Sequence, residues 1–110
     1  MESELQTLTH AILKFRNDRN WAQYHNPKDL AICLNVEAGE LLELFLWKKS
    51  EEVEKQKLSE ELADVFYSVL LLAHESEIDL NKALSEKLKK NELKYPVEKA
   101  FGKSEKYDQL

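Results

Sequence analysis

Four carboxylates, Glu37 with Glu40 and Glu61 with Asp64, have the type and spacing to do chemistry. Acids are common in this chain, with 21 Asp and Glu against 16 Lys and Arg, so number alone says nothing. Context sets these apart. Each pair is spaced i, i+3, which on a helix projects both side chains from one face. A Glu-x-x-Glu pair is usually a solvated helix face, yet here each pair lies in a mostly apolar run: Leu41, Leu42, Leu44 and Phe45 follow the first, and Leu62, Ala63, Val65 and Phe66 surround the second. The stretch 41–60 between the pairs is long enough to finish one helix, turn and return antiparallel, so the pairs are expected to face each other. Four carboxylates meeting inside a bundle repel strongly without a cation. An all-oxygen donor set suits Mg2+, with Mn2+ as a substitute.

Other chemistries fit less well. Bundle di-iron sites use Glu-x-x-His pairs, and none of His10, His25 or His74 follows a glutamate by three. The sequence has no Walker A run, no Gly-x-Gly-x-x-Gly and no nucleophile elbow. One cysteine and scattered histidines do not make a zinc site.

The elements that must position the acids read as helices, since two glycines and two prolines are too few for the turns of a β-rich domain. The first covers residues 3–19, with Leu5, Leu8, Ile12 and Phe15 on one side. A loop follows to Pro27, which Asn26 precedes as N-cap. The second helix is read over 27–47, the third over 50–76 and the fourth over 79–94, where Tyr95-Pro96 stops it. The expected fold is an all-α four-helix bundle in residues 1–96, followed by a loose polar tail over 97–110.

Net charge is −5, with no basic stripe ahead of the C-terminal region. This argues against a nucleic acid polymer as partner but not against a free nucleotide. No apolar run is long enough for a membrane span, Met1-Glu2-Ser3-Glu4 lacks the positive start of a signal peptide, and the lone Cys33 suits a reducing compartment. A soluble, cytoplasmic protein is expected. The second and third helices are apolar almost all round, more than a small chain can cover, which predicts a homo-oligomer.

Glu37-Ala-Gly-Glu40-Leu-Leu-Glu-Leu, followed by Glu60-Glu61-Leu-Ala-Asp64-Val, resembles the paired signature of all-α nucleoside triphosphate pyrophosphohydrolases. The likeness is strongest to the MazG-like branch related to dCTP pyrophosphatase. Arg19-Asn-Trp21-Ala-Gln-Tyr-His25-Asn-Pro27 resembles that branch's first loop, Leu44-Phe45-Leu-Trp47-Lys48 its second-helix end, and Asn91-Glu-Leu-Lys94-Tyr95-Pro96 its closing motif.

The resemblance implies that Glu37, Glu40, Glu61 and Asp64 are catalytic and hold Mg2+. It also implies that Trp21, His25 and Trp47 lie around base and sugar, and that Asn91, Lys94 and Tyr95 lie near the phosphates. The implied reaction breaks the bond between the α and β phosphates, with Glu40 or Glu37 helping to deprotonate water. The implied assembly is a dimer or a dimer of dimers, and the implied role is house-cleaning of dCTP or a modified relative. Two departures bear on base selectivity. Ile12 and Ser68 stand where related enzymes can carry a polar aromatic or histidine contact, with His10 and Tyr67 close by, and the segment between Trp47 and Glu60 is short. The competing reading is a non-catalytic helical module that senses a nucleotide or binds a partner. Mg2+-dependent pyrophosphate release separates the two.

Overall fold

The computed structural model describes residues 1–110 and is all-helical, without strands. Residues 1–77 and 78–110 form two compact units.

In the first unit, α1 runs Glu4–Asp18. Ser3 and Gln6 close a reciprocal capping box at its start: the Gln6 amide donates to Ser3 Oγ (3.2 Å) and the Ser3 amide to Gln6 Oε1 (2.8 Å). Asn20, at φ 57°, turns the chain out of the helix, and a 3-10 turn, Ala22–Tyr24, leads to α2, Pro27–Glu43. Asn26 caps α2, its Oδ1 accepting from the Asp29 amide at 3.0 Å, and Pro27 fills the first turn.

Helix α2 is shorter than the sequence suggests. Beyond Glu43 the hydrogen bonds tighten to i+3, as in Phe45 N–H to the Leu42 carbonyl (2.9 Å). Trp47 then adopts a left-handed φ of 63°, a backbone state that costs on the order of 1 kcal/mol and reverses the chain. The apolar run passes straight through this turn, which is why it reads as helix.

Helix α3 spans Lys55–Glu75, starting five residues later than expected from residue 50. Ser50–Glu52 is a separate 3-10 turn, and Val53 and Glu54 are extended behind it. Glu51, Glu52 and Glu54 therefore precede the helix instead of opening it. Helices α2 and α3 pack along each other, and α1 packs on α3. The dry core is small: Leu30 of α2 with Leu70, Leu71 and Ala73 of α3.

The second unit holds α4, Leu80–Lys94, capped by Asp79 Oδ1 on the Lys82 amide (3.2 Å), and a short α5, Val97–Ala100. The segment expected to be a loose tail is structured. Tyr107 lies in a 3-10 turn with its ring edge-on to Tyr95 (6.1 Å between centres) and Lys94 Nζ 5.0 Å above it. Two aromatics spaced across a polar stretch supply the contact that composition hides. The expected four-helix bundle thus corresponds to three helices in the first unit, with α4 in the second.

Candidate active site

The acid pairs sit on the two helices expected to carry them. Glu37 and Glu40 lie on α2, Glu61 and Asp64 on α3. One carboxylate oxygen each from Glu37, Glu61 and Asp64 lies within 4.8 Å of the other two. Glu40 stands outside this trio and is exposed. None of the four takes part in an ion pair.

Burial, then the neighbouring Glu40 carboxyl and the charges of Asp64 and Glu61, raise the Glu37 carboxyl above its ordinary value. Burial also raises Glu61, followed by the charges of Glu40, Asp64, Glu60 and Glu43. Oε2 of Glu37 and Oε2 of Glu61 are both buried without a hydrogen-bond partner. Orphaned oxygens of this kind are costly, and here two of them converge with a third carboxylate. A hard divalent cation fits such a donor set: it neutralises the mutual repulsion and satisfies the orphaned atoms at once.

Glu37 and Asp64 also line a cavity of about 630 Å³. From α1 come Leu8, Ala11, Ile12 and Phe15, and from the loop after it Trp21 and His25. Leu30 and Cys33 of α2 and Tyr67, Ser68 and Leu71 of α3 complete the wall. Phe15 is the hub of the aromatic side, edge-on to Trp21 at 5.7 Å and to Tyr67 at 6.4 Å, with the Arg19 guanidinium 3.8 Å above its ring. Charge-binding oxygens at the edge of an apolar, aromatic hollow suit a ligand with a flat apolar end and an anionic end brought in by metal.

Of the remaining expected site residues, Trp21 and His25 are in the cavity wall. Trp47 is not: it is 98% exposed on the turn after α2. Asn91 and Lys94 lie on α4 and Tyr95 just after it, in the second unit. Ile12 and Ser68, the two departures from the family pattern, both line the cavity, as does Tyr67, whereas His10 is exposed and paired with Glu2 at 2.8 Å.

Sequence reasoning missed Arg16. It is 7% exposed, and its Nη1 donates to Glu75 Oε1 at 2.6 Å and lies 3.3 Å from His25 Nδ1. The backbone carbonyl of Arg16 also accepts from the Trp21 amide at 2.9 Å. An arginine inside an amphipathic helix reads as solvated, and its partner is 59 residues away, so no local signal marks it.

Fold and site together define an all-α domain that gathers carboxylates from two packed helices beside an apolar cavity. Residues 32–110 match the model of the MazG-like family. Across 99% of its length the chain is 35% identical to dCTP pyrophosphatase 1 of Rattus norvegicus and of Homo sapiens, spanning 69% of each. The crystal structure of a pyrophosphatase from Archaeoglobus fulgidus superposes with a TM-score of 0.82 and 38% identity, over 87% of this chain and 95% of that one. The chain belongs to the MazG-like family.

Proposed function

We propose that this enzyme, a nucleoside triphosphate pyrophosphohydrolase, acts on dCTP or a closely related modified nucleotide. It hydrolyses the bond between the α and β phosphates to release the monophosphate and pyrophosphate, a house-cleaning activity on the nucleotide pool. The observation that carries this reading is the shared edge of the two features: Glu37 and Asp64 belong both to the carboxylate trio and to the cavity wall. A nucleotide with its base in the cavity brings its phosphates to the acids.

In this reading Glu37, Glu61 and Asp64, joined by Glu40, hold Mg2+, for which Mn2+ can substitute. The ion supplies charge neutralisation for the phosphates and acidifies water. Glu40 or Glu37 is proposed to take a proton from the attacking water, Glu40 being the more exposed of the two. Trp21 and Phe15 offer edges and faces to the base, and the apolar wall excludes water from it. Trp47, Asn91, Lys94 and Tyr95 remain proposed substrate contacts.

A homo-oligomer, a dimer or a dimer of dimers, is part of the proposal. Ile32, Val36 and Leu42 on α2 and Leu62 and Phe66 on α3 are each 43–63% exposed, an apolar surface large for a monomer. No helix is long and apolar enough to cross a membrane, and a cytoplasmic location is proposed with the nucleotide substrate.

The test is pyrophosphate release from a panel of canonical and modified nucleoside triphosphates, with Mg2+ and with chelator. Release that needs Mg2+ and favours deoxycytidine nucleotides supports the reading. Metal-independent release, or a preference for purines, defeats it.

A further inference from the structure

Arg16, the one charged residue among the buried ones, crosses from α1 to reach both α3, through Glu75, and the cavity loop, through His25. A guanidinium has donors only. The 3.3 Å contact with His25 Nδ1 is a hydrogen bond only if that nitrogen offers its lone pair. In a neutral imidazole the proton then sits on Nε2. The backbone fixes the same residue, for the His25 amide donates to the Ala22 carbonyl at 3.1 Å. Arg16 holds the loop at two points: by its side chain at His25, and by its carbonyl at Trp21.

We propose that Arg16 is a positioning residue: anchored by Glu75, it fixes His25 as the neutral Nε2–H tautomer, so that the ring offers the cavity a donor for a carbonyl oxygen of the bound base. The other neutral polar groups of the wall, the hydroxyls of Tyr67 and Ser68, can donate or accept and discriminate less. A ring locked as donor favours a base presenting a carbonyl and disfavours an amino group at that point. The recognition half of this inference rests on the nucleotide reading above; the tautomer half does not.

Charge around the ring works the same way. The charged groups facing it are Arg16 from α1 and Glu75 from α3, and the cavity's other titratable side chains are Glu37, Asp64, Tyr67 and Cys33. Burial and Arg16 lower the His25 pKa below 6.5, against an opposing pull from Glu75.

The test is a two-bond 15N–1H spectrum of histidine-labelled, metal-free protein near neutral pH, with His25 assigned by His25→Gln. A bare Nδ1 and a protonated Nε2 are expected in the wild type, and Arg16→Gln should give mixed tautomers with the titration midpoint moved up toward 6.5. In steady-state assays with dCTP, Arg16→Gln should raise KM about tenfold, the worth of one hydrogen bond, and leave kcat nearly unchanged. A protonated Nδ1 in the wild type overturns the proposal whether or not the variant folds. An unchanged tautomer in Arg16→Gln, or a loss confined to kcat, overturns it too. If the tautomer is as expected but dCTP is not turned over, the substrate reading falls and the positioning role stands.

Discussion

Along α3, Glu61 and Asp64 meet Glu37 of α2 with no basic side chain among them, whereas at the C-terminal end Glu75 meets Arg16 of α1 at 2.6 Å. Both places remove charge from water in a unit whose dry core has only four apolar residues. The Glu75 corner is complete within the chain, apart from Arg16 Nε, which has no partner. The acid corner is not: two buried oxygens lack partners and like charges face each other. The contrast separates a pair that holds helices and loop in place from a cluster whose oxygens could hold a metal ion.

The largest effect that breaks this contrast is at the acids. Glu61→Ala or Asp64→Ala should lower kcat by about a thousandfold or more, with helical circular dichroism unchanged. Near wild-type turnover in either variant would remove the acids from catalysis.

Next in size is the paired corner. Glu75→Ala leaves Arg16 buried and uncompensated, and urea unfolding should register a loss of about 2–3 kcal/mol. That is below the ~3–5 kcal/mol of a fully buried pair, because the Glu75 side chain is 25% exposed. The exposed Lys14–Asp18 pair, at 2.7 Å, is the control, and Lys14→Ala should change stability by about 0.5 kcal/mol or less. Equal losses would mean that burial makes no difference here.

The smallest effect is protonic. The folded state raises the carboxyls of Glu37 and Glu61 above 4.5, so each binds a proton more readily folded than unfolded and destabilises the protein as pH climbs above that value. In chelator at pH 7, Glu61→Gln should therefore melt higher than wild type. The gap should narrow as pH falls toward 4.5 and the wild-type carboxyl takes up its proton. His25 acts in the opposite sense, its lowered pKa withdrawing stability as pH falls below 6.5, and it contributes equally to both proteins. A melting gap that stays constant as pH falls from 7 to 4.5 would contradict the raised carboxyls.

Much of the acid corner was legible before any coordinates, because i, i+3 spacing within an apolar run is a local signal and the two runs are joined by a loop of the right length. Glu40 shows where such spacing stops: on the same face as Glu37, it is nonetheless outside the tight trio, whereas Glu61 and Asp64, at the same spacing, are both inside it. The end of α2 was misread because hydrophobicity continues through the Trp47 turn, where only the backbone changes. Arg16 was invisible because its meaning depends on a partner 59 residues away. Local pattern reports faces and periods; it does not report which distant charges meet.

The cavity wall draws on three helices and the loop after the first. Six of its thirteen wall residues, from Leu8 to His25, come from α1 and the loop after it, while the segment that matches the family begins at residue 32 and contains all four acids. In the proposed reading the base meets this first stretch together with Tyr67 and Ser68 of α3, while the acids stand on α2 and α3 alone. On that reading, substitutions in the first quarter of the chain can retune base preference without touching any of the four acids.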